Sequence, residues 1–201
     1  MDASERDVIR EATAGDADAL LSIYAPYVRD TAITFEYEPP TREEFAGRIA
    51  ALTPEFPWLV YEDGARGALG YAYATTWRTR AAYRWTVETT VYVATSAHRR
   101  GIGRALYTSL LACLRLQGHR LAIGGITLPN AGSVALHERC GFRLVGVHRA
   151  CGYKQGAWHD VAFYELPLGP QDAATPPPPA TARELAGRPA WQGAIRSGLS
   201  G

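Results

Sequence analysis

The chain has 201 residues, with 21 Lys and Arg against 20 Asp and Glu, and its formal net charge is +1. Because positive and negative charges nearly cancel, the protein has no overall electrostatic field that would attract nucleic acid or a membrane surface, and we expect neither as a partner. A hydrophobic content of 47% is ordinary for a globular protein with one core. Any recognition of an anion must therefore be local.

Targeting and cysteine signals are weak. The first ten residues are charged and lack the apolar stretch of a secretory signal, and no later apolar run approaches the roughly 20 residues of a membrane-spanning helix. We therefore expect a cytoplasmic protein. Cys113, Cys140 and Cys151 are odd in number and widely spaced, so we expect reduced thiols, no disulfide framework and no metal site.

The first half of the chain predicts a strand, two helices and a hairpin. Thr41 with Glu44 three residues later forms a capping box, which marks the start of the second helix. The turn at Asp63-Gly64 joins the two strands of the hairpin. The predicted elements are a strand at Val8 to Glu11, helices from about Asp16 to Val28 and after Thr41, and strands at Trp58 to Glu62 and Leu69 to Trp77.

The segment from Thr86 to Val93 alternates like a strand with two different faces. Val87, Thr89, Val91 and Val93 point one way, whereas Glu88, Thr90 and Tyr92 point the other. Glu88 is therefore predicted to project a carboxylate from the middle of a sheet.

The second half predicts a mixed α/β domain, with strands in two runs around a central strand, turn and helix. Its predicted elements are a helix to about Gln117, a strand at Leu121 to Leu128, a helix ending at Cys140-Gly141, and strands near Phe142 to Arg149 and Trp158 to Leu166. Composition changes after Leu168, and Pro176 to Pro179 follow. We expect a domain at 1–168 and a Pro-rich, disordered tail at 169–201, although Trp191 and Ile195 leave a docking role open.

The strongest local motif is the glycine-rich turn that follows the strand ending at Val93. Gly101 and Gly103 open the next helix, where backbone N–H groups and the helix dipole favour an anion such as a pyrophosphate. Leu106 stands where a dinucleotide fingerprint needs a small residue, and no Gly-Lys-Ser/Thr follows as in a P-loop. A phosphate-bearing ligand other than NAD or ATP is therefore favoured.

This turn resembles the Arg/Gln-x-x-Gly-x-Gly/Ala motif of the GNAT superfamily of N-acetyltransferases, and it departs from the motif at His98, which removes one polar contact that the family usually has. Further segments look like the phosphinothricin and methionine sulfone/sulfoximine acetyltransferase group. They occur in that group's order between about residues 8 and 166: 56–60, 83–93, 128–130, 136–138 and 152–161.

The resemblance implies a mixed central sheet flanked by helices, with a splayed strand followed by a cofactor-binding helix. It also implies acetyl-CoA as co-substrate, a homodimer, and direct acetyl transfer to the amino group of a small anionic amino acid or analogue. Two alternatives stay open. The acceptor could be another small amine, a peptide amino terminus or an aminoglycoside, or the protein could be a silent acyl-CoA-binding module.

The implied catalytic residues follow from what the reaction needs. An α-amino group with a pKa near 8 is only about one-tenth neutral at pH 7, so a base is required, and Glu88 is the candidate. The resemblance gives Tyr107 the role of protonating the leaving thiolate, although its position one helical turn from Leu111 also fits core packing.

The resemblance also assigns binding residues. Asn130 fits a contact with the cofactor arm, but a helix N-cap near Ser133 is the alternative. Arg78 and Arg80 suit two-point binding of an acceptor carboxylate, with solvated loop arginines as the alternative. The cofactor set is Val91, Tyr92, Val93, Arg99, Arg100, Gly101, Ile102, Gly103, Arg104, Asn130 and Ser133. The acceptor set is Phe35, Arg78, Arg80, Tyr83, His137, Trp158 and His159, with Asp160 a weaker candidate.

Overall fold

The computed structural model describes residues 7–170 and 176–200. Its described strands form a seven-stranded sheet in the order β1-β2-β3-β4-β5-β7-β6. The strands are β1 Val8–Glu11, β2 Trp58–Asp63, β3 Gly67–Thr76, β4 Thr86–Val93, β5 Leu121–Thr127, β6 Arg143–Lys154 and β7 Ala157–Pro167.

The sheet opens at its centre between β4 and β5. These two strands are parallel, and their pairing covers only Thr86–Glu88 against Leu121–Ile123. On its other edge β4 pairs with β3 antiparallel along its whole length, as far as Val93. The second half of β4 therefore has one backbone edge without a strand partner among the described residues.

Helices cover both faces of the sheet. Helices α1 (Ala17–Asp30) and α2 (Arg42–Leu52) pack on the face that carries Tyr71. Helix α3 (Ile102–Gln117) packs on the opposite face against Val87, and α4 (Ala131–Arg139) follows β5. The α3 face holds the larger apolar core.

The sequence predicted most of these boundaries. Helix α2 begins at the expected capping box, in which the Glu44 N–H donates to Thr41 Oγ1 at 3.2 Å. Strand β6 is longer than predicted and runs to Lys154. Its register shifts between His148 and Gly152, and Ala150 has φ 45°. A bulged strand of this kind lacks the regular alternation that identifies strands in a sequence.

The C-terminal segment, defined as residues 176–200, differs from the expected disordered tail. It forms helices α5 (Ala182–Leu185) and α6 (Pro189–Arg196). Trp191 is 1% exposed within the α3 core, and its indole N–H donates to Glu11 Oε1 at 3.0 Å. The apolar spacing of Trp191, Ala194 and Ile195 is that of a helix face, and the Pro-rich composition before it masked that signal. Residues 171–175 and 201 lie outside the described residues.

Three further features concern the described part of the chain. No helix within 7–170 and 176–200 is long and apolar enough to cross a membrane. The same residues contain no group of three or more His, Cys, Asp or Glu side chains that could hold a metal ion. Cys113, Cys140 and Cys151 are free thiols.

Candidate active site

Glu88 projects from the centre of the sheet on the α1/α2 side. Its neighbours Val87 and Thr89 are buried on the α3 side, which confirms the predicted alternation. Gly125 on β5 lies beside it, and a Cβ built there would be 3.7 Å from Glu88 Oε1. Burial raises the pKa of the Glu88 carboxyl. None of the described side chains forms an ion pair or a hydrogen bond with this carboxylate.

Aromatic side chains line the same face beyond Glu88. The Phe163 ring contacts the Gly125 position at 3.5 Å and packs edge-to-face on Trp77 and on His148. Half-buried carboxylates beside aromatic surface are less well solvated than exposed ones, which favours proton uptake. The carboxylate therefore sits in surroundings suited to a general base.

A cavity of about 840 Å³ lies where the open half of β4 meets the N-terminus of α3. We call it the α3 cavity. It is lined by Tyr27, Ile33, Val91, Tyr92, Val93, Ala97, His98, Arg99, Gly101, Ile102, Gly103, Arg104, Asn130, Gly132, Ser133, Ala135, Leu136 and Arg139. Its size is within the range of small-molecule and cofactor sites.

The glycine turn gives this cavity an anion-binding end. Gly101 is the N-cap of α3 with φ 83°, a conformation that favours glycine, and no side chain caps the helix there. The first-turn N–H groups are thus free of a side-chain cap, and the first turn contains no acidic residue. Such a helix start binds phosphate groups readily.

Three arginines surround that end of the α3 cavity. Arg99 and Arg104 were predicted, whereas Arg139 on α4 was not. Arg139 lies one helical turn after Ala135, another lining residue, so a helical projection of α4 would have identified it. No carboxylate within 7–170 or 176–200 lines the cavity. The residues present therefore fit a ligand with several phosphate charges.

Arg100 is directed elsewhere. Its guanidinium contacts Asp63 Oδ2 at 3.1 Å, and Arg100 does not line the α3 cavity. Arg99, just before it, has a left-handed backbone conformation with φ 62°. The adjacent Arg99 and Arg100 therefore differ, because Arg99 lines the cavity and Arg100 pairs with Asp63. The sequence motif alone does not distinguish them.

His98 occupies the first position of the glycine motif and contacts α1. Its Nε2 lies 2.7 Å from the Tyr27 hydroxyl, which itself donates to the Val93 carbonyl at 2.6 Å. Since Tyr27 has only one proton to give, His98 Nε2 acts as the donor to the Tyr27 oxygen. His98 therefore fixes the end of β4.

Asn130 and Ser133 begin helix α4 beside the cavity. The Ser133 N–H donates to Asn130 Oδ1 at 3.1 Å, so Asn130 is the N-cap of α4, the alternative raised by the sequence. Both residues line the α3 cavity. The cap leaves the Asn130 amide nitrogen available to a ligand.

Tyr107 and His137 form a buried pair. The Tyr107 hydroxyl lies 3.0 Å from His137 Nε2, and His137 Nδ1 lies 2.8 Å from the Ser133 carbonyl oxygen. Tyr107 is 0% and His137 3% exposed. Burial raises the pKa of Tyr107 and lowers that of His137. His137 is consequently a core residue in this structure rather than an exposed pocket wall.

Gly124 explains how His137 fits under the sheet. A Cβ at Gly124 would lie 2.5 Å from His137 Nε2. Only glycine leaves room for the ring at this position of β5. This glycine was not singled out from the sequence, because its reason is a contact with α4.

The predicted acceptor residues fall into two groups. Phe35 packs against Gly152 and lies 6.4 Å from the His159 ring, centroid to centroid. Trp158 is 65% exposed on β7. The weaker candidate Asp160 instead forms an ion pair with Arg149 at 2.8 Å.

The second group lies in the loop between β3 and β4. Arg78 and Arg80 line a different cavity, together with His119 and part of the C-terminal segment, and Glu88 is not among its lining residues. Tyr83, in the same loop, is 39% exposed. The structure therefore does not bring the two arginines into one described pocket with Glu88.

This fold and the α3 cavity define the class of protein. The sequence matches the acetyltransferase (GNAT) domain family over residues 9–163, and the chain belongs to that family. The C-terminal segment lies outside the matched residues.

Individual relatives narrow the comparison. The chain is 44% identical to phosphinothricin N-acetyltransferase of Streptomyces viridochromogenes over 168 residues, which cover 81% of this chain and 91% of the relative. It is 34% identical to L-methionine sulfoximine/L-methionine sulfone acetyltransferase of Pseudomonas aeruginosa, covering 83% and 97%. A phosphinothricin acetyltransferase from Sinorhizobium meliloti, solved in complex with AcCoA, superposes with a TM-score of 0.81 at 37% identity, covering 85% and 93%.

Proposed function

We propose that this acetyltransferase transfers the acetyl group of acetyl-CoA to the amino group of a small anionic amino acid or analogue, of the phosphinothricin or methionine sulfoximine kind. One observation carries the proposal. Strand β4 presents Glu88 on one face and leads directly into the α3 cavity at Val91–Val93. A base and a site for a phosphate-bearing acyl donor are thereby joined by one rigid strand.

Glu88 is the proposed general base. It accepts a proton from the ammonium group of the acceptor, directly or through a water, so that the amine attacks as a neutral nucleophile. Its raised pKa brings the carboxyl closer to the working pH, where a base is most effective. No described ion pair competes for the carboxylate.

The α3 cavity is the proposed site of acetyl-CoA, which supplies the activated acetyl group as a thioester. The first-turn N–H groups of α3 would hold its pyrophosphate, with Arg99 and Arg104 adding positive charge. The unpaired backbone edge of Val91–Val93 would pair with the pantetheine arm as an added strand does.

Tyr107 is the proposed proton donor to the departing thiolate. Its ring lies on α3, the helix that begins at the proposed cofactor site. Burial keeps the phenol protonated, as a donor must be. His137 Nε2 accepts the phenol proton in the structure and holds the ring in position, so donation to the thiolate would require the hydroxyl to rotate away from His137.

Arg78 and Arg80 are the proposed partners of the acceptor's acidic groups, with Tyr83 beside them. Their guanidinium groups form no ion pair among the described residues. Trp77, which precedes them, packs on Phe163 on the Glu88 side of the sheet. The loop between β3 and β4 thus borders both faces of the sheet. Its long arginine side chains can reach around the end of the sheet to the face that carries Glu88.

A homodimer is proposed from the edge of the sheet that ends in β6. Leu144 and Val145 on β6 are 54% and 62% exposed, and Tyr153 and Trp158 are 48% and 65% exposed nearby. An edge strand with apolar side chains favours burial against a second copy. Sedimentation velocity tests this, because Val145→Asp should shift a dimer to a monomer.

A cytoplasmic location is also proposed, since acetyl-CoA is a cytoplasmic metabolite, and cell fractionation tests it.

The proposed function is tested by following thiol release from acetyl-CoA with a panel of amines. The panel contains phosphinothricin, methionine sulfone, methionine sulfoximine, ordinary amino acids, a peptide and an aminoglycoside. Turnover confined to the anionic amino-acid analogues supports the proposal. Turnover with only the peptide or the aminoglycoside contradicts the substrate class, and acetyl-CoA binding without any turnover favours a silent module.

A further inference from the structure

A second cavity lies beneath the C-terminal segment, at the far end of the sheet from the α3 cavity. We call it the C-terminal cavity. Its volume is about 320 Å³, and it is bordered by the loop between β3 and β4, by Phe56 and His119, and by Pro178–Thr181. Thr76, which lines it, pairs with Val87 on the α3 side of the sheet. Neither Glu88 nor any residue of the glycine turn lines this cavity.

His119 is the unusual group in the C-terminal cavity. It is 4% exposed, and neither ring nitrogen has a hydrogen-bond partner among the residues that the structure describes. The backbone of Arg84 lies near the ring, but the contact falls short of hydrogen-bond geometry. The ring stacks on Phe56 at 5.9 Å between centroids, which fixes its orientation. Buried polar atoms without partners are rare and costly, so such a ring indicates an additional binding partner.

The charge around this ring is positive. Arg78, Arg80 and Arg84 line the cavity, and among the described residues none of them forms an ion pair. The Arg84 Nε donates to the Ala81 carbonyl at 3.0 Å, which orients that guanidinium. Among the described residues, Glu55 is the one carboxylate in the lining.

The C-terminal segment closes the site. The Pro177 carbonyl accepts a hydrogen bond from Trp85 Nε1 at 2.8 Å, and the Ala180 carbonyl accepts one from Gln117 Nε2 at 2.8 Å. These contacts anchor Pro178–Thr181 over His119. Because the family match ends at residue 163, the acetyltransferase domain alone does not account for this wall of the cavity.

We propose that the C-terminal cavity binds a small oxyanion, a phosphate or a carboxylate group, through a His119 ring N–H and the Arg84 guanidinium, at a site separate from the acceptor position beside Glu88 and independent of Arg78 and Arg80. A neutral imidazole keeps one N–H donor, and a guanidinium offers two parallel donors to an oxyanion. The proposal concerns binding and does not depend on acetyl transfer.

Isothermal titration of the full chain with inorganic phosphate, and separately with acetate, tests the proposal at constant ionic strength set with sodium chloride. His119→Phe keeps the stacking on Phe56 but removes both ring nitrogens. Arg84→Gln removes an exposed charge and serves if the first variant folds poorly. Each should weaken binding about tenfold or more, the effect of losing a hydrogen bond to a charged group.

Arg99→Gln is the matched control, because phosphate can also bind at the start of α3. Saturable binding that survives Arg99→Gln and is weakened by His119→Phe or Arg84→Gln supports the proposal. The relative affinities of phosphate and acetate then identify the group. Equal binding in all variants, binding lost only in Arg99→Gln, or no saturable binding overturns it. If His119→Phe or Arg84→Gln raises the KM of the amino-acid acceptor, the cavity belongs to the acceptor pocket and the proposed separation is wrong.

Discussion

The His98 imidazole Nε2 lies 2.7 Å from the Tyr27 hydroxyl, and the two side chains together hold the end of β4 at the Val93 carbonyl. Both residues line the α3 cavity. The histidine at the first position of the glycine motif thus makes a contact of its own, with a residue of α1 that is far away in the sequence. The pair orders the strand end that the proposed acyl donor must meet.

Removal of the His98 ring should weaken acetyl-CoA binding. His98→Ala leaves the Tyr27 oxygen without its donor, and loss of one hydrogen bond of about 0.5–1.5 kcal/mol raises the Kd by roughly two- to tenfold. Equilibrium binding of acetyl-CoA measures this. Arg100→Ala is the control, since Arg100 pairs with Asp63 outside the cavity and should leave the Kd unchanged. An effect of Arg100→Ala as large as that of His98→Ala would count against this account.

Two adjacent glycines on β5 should differ in their tolerance of alanine. A Cβ at Gly124 would lie 2.5 Å from the His137 ring, whereas one at Gly125 meets nothing closer than 3.5 Å. Gly124→Ala must displace the buried ring and should cost about 1–3 kcal/mol of unfolding free energy, the usual cost of overpacking. Gly125→Ala should change it by less than about 0.5 kcal/mol. Urea unfolding compares the two, and equal losses would mean that His137 is not wedged against Gly124.

Trp191 should anchor the C-terminal segment. Because it is 1% exposed, Trp191→Ala should lower the unfolding free energy by about 3–5 kcal/mol. Arg196→Ala, at an exposed position on the same helix, should change it by less than about 0.5 kcal/mol. Thermal and denaturant unfolding measure both. A Trp191→Ala protein as stable as the wild type would mean that the segment is not docked.

Stability should fall in mild acid because of His119. Burial lowers the pKa of its imidazole from 6.5 to about 4. Between pH 6.5 and pH 4 the imidazole is therefore protonated in the unfolded chain but neutral in the folded protein. The contribution of His119 to the unfolding free energy is complete above pH 6.5 and is lost as the pH falls towards 4.

For these two pKa values, the loss between pH 7.5 and pH 5 is about 2 kcal/mol. Urea unfolding at both pH values, in a buffer without phosphate or carboxylate, measures it. His119→Phe lacks the titrating group, so its unfolding free energy should fall by about 2 kcal/mol less than that of the wild type between the two pH values. The same loss in both proteins would assign the acid sensitivity to other groups.

Local patterns in the sequence predicted a large part of the fold and the site. The face on which Glu88 lies follows from the two-residue period of a half-buried strand, and the anion-binding end of the α3 cavity follows from the glycine turn after β4. The sequence did not reveal the Tyr27–His98 pair or the Gly124–His137 contact. Each joins residues whose proximity depends on the packing of a helix against the sheet.

The C-terminal segment shows another limit of sequence patterns. Its composition suggested disorder, but Thr181 and Glu184 form a capping box and Trp191 supplies a large apolar contact. A few well-placed apolar residues are enough to dock a short helix on a core that is already formed.

The most direct test is the kcat of Glu88→Gln at saturating acetyl-CoA with an acceptor that the wild type acetylates. Glutamine keeps the shape of the side chain but cannot accept the amine proton, so kcat should fall by about 100- to 10,000-fold. The Kd of acetyl-CoA should stay within about twofold, because Glu88 does not line the α3 cavity. A variant with wild-type kcat would contradict the assignment of Glu88 as the base.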